Sequence, residues 1–194
     1  MTSLGAVINQ LPLDLFEGGP LNDQGLDLPD FDARGLLPAI VFSDTEAGKI
    51  KRLAPYPTDW QRLVERFSWT DQRKALLDSL AVYRKGLIDS GLHIHFQLLG
   101  GSFTENTDTP NDIDCVTFAH LPQSAATDAG MEALIKSNPT LFLKTLAKPH
   151  YKIDGAFVFT PNHPTRMVSL AYYWFTLFSY VKGSGQHKGT VALI

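Results

Sequence analysis

The stretch that most constrains this chain is Leu98-Leu99-Gly100-Gly101-Ser102-Phe103, followed, with nine residues between Ser102 and Asp112, by Asp112-Ile113-Asp114. A glycine-serine turn leaving an apolar strand exposes backbone N–H groups and a hydroxyl, the donors that phosphate oxygens need. Strand side chains repeat every two residues, so Asp112 and Asp114 share one face while Ile113 and Cys115 point into the core. Two carboxylates on one strand face are hard oxygen ligands suited to Mg²⁺. Turn and acids together form an arrangement able to hold a metal-bound triphosphate. The plainer alternative is a pair of solvated acids at a turn and an edge strand.

The flanking sequence reads as α+β, a small mixed sheet flanked by helices. Residues 1–30 contain Asp14, Glu17, Asp23, Asp27 and Asp30, no base, and the breaker Gly18-Gly19-Pro20, so they read as an extended or flexible acidic arm. Residues 31–194 read as one domain. Phe31 to Pro38 is a turn leading into a short strand, Ala39 to Phe42. Thr58 and Gln61 spell a capping box, and Trp60, Leu63, Val64 and Phe67 follow at helical spacing. A second helix is expected over Asp71 to Ser90, with Leu76, Leu77, Leu80, Tyr83, Leu87 and Ile88 inward and Gly91 as the stop.

Strands are expected over His93 to Leu99 and Asp112 to Phe118, with a short helix from Ser102 to Asn106 and a turn over Asp108 to Asn111. His93 and His95 share a strand face and, lacking further ligands, read as its polar side. A helical stretch over Thr127 to Leu146 breaks near Asn138-Pro139. Tyr151 to Phe159 alternates as a third strand with Asp154 on its less apolar face. Arg166 to Tyr180 reads as a buried helix, and Gly189 to Ile194 as a final strand.

Charge is unevenly divided. Residues 1–135 carry 10 Lys/Arg against 19 Asp/Glu, whereas residues 136–194 carry 7 Lys/Arg and one acid, Asp154. A basic segment with a single carboxylate suits an anionic ligand, although lysines that merely solubilise loops would give the same count. Cys115 is the only cysteine, which excludes an intrachain disulfide and a cysteine-based zinc site. No basic and apolar leader is visible, and Met167 to Val181 is too short and polar for a bilayer span, so a cytoplasmic protein without a membrane partner is expected. The loop Gly183-Ser184-Gly185-Gln186-His187-Lys188-Gly189 is not a Walker A loop. Either it needs no function, or Lys182 and Lys188 neutralise a phosphate leaving group. Tyr172, Tyr173 and Trp174 read as core more readily than as a base-stacking surface.

A third carboxylate would complete a two-metal site, and Asp154 is the one strand acid downstream. Gly101-Ser102-Phe103 with Asp112-Ile113-Asp114, and Asp154 in Lys152-Ile153-Asp154-Gly155-Ala156, resemble the signature of the nucleotidyltransferase superfamily typified by DNA polymerase β. The Phe31-to-Pro38 opening, Pro110-Asn111-Asp112 and the tail Tyr173-Trp174…Phe178…Lys188-Gly189 also resemble a small uncharacterised bacterial family within it. The resemblance implies a minimal polymerase-β-like fold. It implies that Gly101 and Ser102 bind a triphosphate and that Asp112, Asp114 and Asp154 hold two Mg²⁺ ions, with Mn²⁺ as a substitute. It further implies that Asp154 helps deprotonate an acceptor hydroxyl on an RNA end, a nucleotide, a protein or a small molecule. A toxin–antitoxin or antiphage setting, with a partner protein encoded nearby, follows by analogy alone. Thr104-Glu105 stand where many members carry a base, and no large helical domain follows Asp154. The rival of another class is a catalytically silent nucleotide-sensing or partner-binding module.

Overall fold

The computed structural model describes residues 25–160 and 163–194. The glycine-rich breaker and the acids Asp14, Glu17 and Asp23 of the expected arm lie outside the described residues. Asp27 and Asp30 lie within them and pair with Arg62 and Arg66. The chain runs β1 (Ile40–Phe42), β2 (Ile50–Leu53), β3 (Tyr56–Thr58), α1 (Trp60–Phe67), α2 (Asp71–Asp89), β4 (His93–Gly100), a 3₁₀ turn (Gly101–Thr104) and β5 (Ile113–His120). It continues with α3 (Asp128–Ser137), α4 (Pro139–Phe142), α5 (Lys144–Tyr151), β6 (Ile153–Thr160), α6 (Pro164–Phe178) and β7 (Val191–Leu193). The architecture is α+β, as the alternation of periodicities anticipated.

β1 and β2 form a small antiparallel pair, and the main sheet has the order β3-β7-β4-β5-β6. It is mixed: β3 runs parallel to β7 and β5 to β6, while β4 is antiparallel to both β7 and β5. Alternation along the strands splits the core in two. Leu99, Ile113, Cys115 and Ile153 face the layer of α1 to α5, where Leu63, Phe67, Leu76, Leu80, Tyr83, Leu141 and Ala147 meet them. Leu98, Val116, Phe118 and Val158 face the other way, onto α6.

Local details depart from the sequence expectations for physical reasons. The cap of α1 is Asp59, whose carboxylate accepts from Arg62 N, because Thr58 is buried in β3 with its hydroxyl donating to Leu26 O. Ile88 is exposed, one step past the stripe that α2 buries. Asp112 precedes β5, and Tyr151 closes α5 instead of opening β6, because Lys152 turns into the left-handed region at φ 59°. The largest departure is α6. Of its residues only Phe178 is buried, with Met167, Leu170, Trp174 and Phe175 leaning on the sheet, while Tyr172 and Val168 are about 70 % exposed. A single helix on a sheet face has one side to bury, and among the described residues nothing covers the other.

Candidate functional site

Three strands present their ends at one level of the sheet. Gly100, the last residue of β4, is the register partner of Asp114 on β5, and Asp114 is the partner of Asp154 on β6. Asp112 stands one residue before β5, where Ile113 N donates to Lys152 O and ties the two strand entrances together. The sequence expectation of three neighbouring aspartates thus has a backbone frame, although the Asp112 side chain projects from a loop. Glycine is required here. Gly101 lies at φ +66°, and a Cβ on it would fall 1.8 Å from Asp114 Oδ2. A Cβ on Gly100 would fall 2.5 Å from the Phe178 ring. The turn therefore closes directly over the Asp114 carboxylate, and α6 closes onto the turn.

The charges are incompletely balanced. Burial pushes Asp114 above the usual carboxylate range, and the charges of Asp112 and Asp154 push it the same way. Among the described residues the Asp114 carboxylate has no hydrogen-bond or ion-pair partner. The other two carboxylates do. Lys148 Nζ lies 2.6 Å from Asp112 Oδ2 and 2.9 Å from Asp154 Oδ2, and Lys144 pairs with Asp154 Oδ1. Burial raises Asp154, but the hydrogen bonds from Lys144 and Lys148 outweigh it and hold the carboxyl below its ordinary value. The same bonds to Asp112 and Asp154 hold the Lys148 ammonium firmly protonated. Among the described residues no three acids, imidazoles or thiols are already gathered around one point. Lys148 stands between two of them. Carboxylate oxygens are the donors a hard divalent cation takes, and Asp114 keeps its own unpaired, but Lys148 would have to give way for such a cation to reach Asp112 and Asp154.

Behind the turn lies a buried support. Arg73, fully buried on α2, donates to Phe103 O and Glu105 O and stacks on Trp69, 3.7 Å from the ring centroid. Lys188, also fully buried, donates 2.7 Å to Gly101 O and pairs with Glu105. The opening segment joins here: Leu36 bridges Glu105, and Gly189 N donates to Leu37 O. Two cavities open on the α6 side, parted by Leu177 and Phe178, which line both. The larger, about 870 Å³, is lined by Gly101, Ser102, Asp114 and the 180–185 loop with Lys182. The smaller, about 300 Å³, is lined by Asp114, Asp154, Lys144, Tyr173 and Trp174. Among the described residues neither the Ser102 hydroxyl nor the Lys182 ammonium is bonded, so both are available to a ligand.

Of the residues singled out from sequence, Gly101, Ser102, Asp112, Asp114 and Asp154 lie together. Lys182 faces the larger cavity. Lys188 lines it too, but its ammonium is spent on Gly101 O and Glu105, so it supports the turn and does not reach outward. The same pair accounts for Glu105 where a base was expected. His93 and His95 lie at the far end of β4, grouped with His120; His95 and His120 both bond the Thr160 hydroxyl. Sequence reasoning missed Lys144, Lys148 and Arg73. The lysines carry a readable signal, four apart on one helix and shortly before Asp154 in the basic segment. Arg73 falls on the apolar stripe of Leu76, Leu77 and Leu80, a place where a base is buried or nowhere. Comparison with curated proteins and with solved structures gives no match. A family model matches residues 29–194, and the chain belongs to that family, a family of unknown function (DUF6932).

Proposed function

We propose that this protein is a metal-dependent nucleotidyltransferase that moves an NMP or dNMP group from a nucleoside triphosphate to a hydroxyl acceptor. The observation that carries this reading is the Gly101 turn closed over an unpaired Asp114 carboxylate, with Asp154 at the adjacent register position. Such packing gives phosphate donors and metal ligands one shared place. The larger cavity has room for a nucleoside triphosphate, with Ser102 and Lys182 as phosphate donors. Asp112, Asp114 and Asp154 would hold Mg²⁺ or Mn²⁺, which when bound neutralises charge at the reacting phosphate and the leaving pyrophosphate.

The chain's own groups divide the remaining work. Ser102 and the turn orient the triphosphate. Asp154 accepts the proton of the attacking hydroxyl as its oxygen bonds to the α-phosphorus. The bond from that phosphorus to the bridging oxygen breaks, and pyrophosphate leaves past Lys182. Lys188 keeps the turn in shape from behind. A cytoplasmic setting, where nucleoside triphosphates are abundant, and a role in bacterial defence belong to the same proposal, the second on resemblance alone.

One observation favours a second reading. Lys148 supplies a built-in cation between Asp112 and Asp154, as a nucleotide-binding module without turnover would have. Incubation of the purified chain with each labelled NTP and dNTP, Mg²⁺ and a broad acceptor panel separates the two. Pyrophosphate release that is lost in the Asp112→Ala/Asp114→Ala variant supports the enzyme. Tight nucleotide binding without turnover supports the silent module, and neither binding nor turnover sinks both.

A further inference from the structure

The cavity on the Asp154 side of Leu177 and Phe178 has two opposite kinds of wall. One is charged, with Asp114, Asp154 and Lys144. The other is aromatic, with Tyr173 and Trp174 from α6, their rings 5.0 Å apart and edge to face. Gly155 and Ala156 form part of its lining and add almost no side-chain bulk. Of the two exposed tyrosines of α6, Tyr172 lies off this cavity, whereas Tyr173, 55 % exposed, lines it.

We propose that this cavity is the acceptor subsite and that it selects a phosphorylated nucleoside with a free ribose hydroxyl, taken as a free nucleotide or as the 3′ end of a single RNA strand. The proposal rests on the nucleotidyl-transfer reading. Three features give the chemistry. Tyr173 and Trp174, both lining the cavity, offer π systems of the kind on which any base stacks. The volume of about 300 Å³ is at the low end for small-ligand sites, so it admits one nucleoside and not a duplex. Asp154 lies at the same wall, within reach of a hydroxyl carried by the stacked group.

Lys144 adds the preference for phosphate. Its side chain is 64 % exposed, and its ammonium holds Asp154 Oδ1. A phosphate entering the cavity draws that ammonium away and leaves the oxygen free. The carboxylate then accepts the hydroxyl proton while the ribose oxygen bonds to the α-phosphorus and pyrophosphate departs. Lys144 is a positioning residue in this scheme, acting through Asp154.

The test uses the full chain with Mg²⁺ and labelled NTPs, offered AMP, adenosine, a short RNA with a 3′-hydroxyl, the same RNA with a 3′-phosphate, and an aminoglycoside. Label is expected on AMP or on the 3′-hydroxyl RNA, and which of the two is labelled identifies the source. Adenosine should show a KM at least tenfold higher than AMP, and Lys144→Gln should erase that difference. Tyr173→Ala, at an exposed position, should raise the acceptor KM about tenfold, the effect of losing one stacked base, with the NTP KM within about twofold. Label on the aminoglycoside or on protein, with both nucleotide acceptors blank, overturns the subsite and leaves nucleotidyl transfer standing. If no acceptor is labelled, equilibrium dialysis of AMP against the wild-type and Tyr173→Ala chains decides the subsite independently of turnover. About tenfold weaker binding in the variant supports it, and equal binding overturns it.

Discussion

Arg73 shows how one side chain sets the shape of the site without entering it. Its guanidinium is sandwiched by Trp69, Phe67 and Phe103, and it spans the carbonyls of Phe103 and Glu105 just after the glycine-serine turn. Burial pulls its pKa down to about 10, so it remains a cation at neutral pH. Arg73→Met fills similar volume but leaves Phe103 O without its donor, while Glu105 O keeps only Thr107 N, a loss of about 2–3 kcal/mol. The expected outcome is a fall in Tm of roughly 5–15 °C. A thermal melt within about 2 °C of wild type would show that the turn holds its own shape. Tyr56 gives the pH dependence. Fully buried, with its hydroxyl donating 2.7 Å to Pro38 O, its pKa is pushed up by burial to about 12. The unfolded chain loses this proton near pH 10, so the contribution is complete below pH 10 and declines as pH rises toward 12. Denaturant melts should lose about 2–3 kcal/mol from this group over that window. In Tyr56→Phe the decline should be smaller by that amount, and an unchanged slope would refute the assignment.

At the scale of the element, α5 matters most, and it was the least visible from sequence. Strands β4, β5 and β6 were legible because alternation and the glycine-serine break are local signals, whereas the register that sets Gly100, Asp114 and Asp154 side by side came only with their pairing in the fold. α6 was misread as buried because its apolar residues run all round the helix, and nothing local says that only one layer meets it. The lysines of α5 were missed for a similar reason: Lys144 and Lys148 look like a solvated helix face until β6 brings Asp154 beneath them. Their position leads to a prediction. Lys148 occupies the space between Asp112 and Asp154, so a divalent cation must displace it to bind there. Lys148→Met removes the competing charge, and Mn²⁺ should bind at least tenfold more tightly by calorimetric titration, with Mg²⁺ changing in the same direction. Equal or weaker binding would mean that the ammonium assists the cation and does not compete with it.

At the scale of the whole molecule, parts distant in sequence converge on the same turn. The 31–38 segment bridges Glu105, the 188–189 segment holds Gly101 and Leu37, and β7 pairs between the edge strand β3 and the central strand β4. Val191 and Leu193 join the core of the helical face, and Gln97, Leu98 and Leu99 take β7 as their antiparallel partner. Without β7, strand β3 has no neighbour in this sheet, and β4 loses its partner on one side. The edge of β4 would then expose unpaired backbone groups next to apolar side chains, a template for aggregation. A chain truncated after Lys188 also leaves Leu37 O without the Gly189 donor beneath the site. It should therefore fail to fold as a unit, and not merely lose a tail. The expected signs are a lost near-ultraviolet aromatic signal, no cooperative thermal transition and rapid cleavage across the 98–120 region in limited proteolysis. A truncated chain that melts cooperatively within about 5 °C of the full one would show that β4 to β6 with their helices form a self-sufficient core. β7 would then serve only to finish the site.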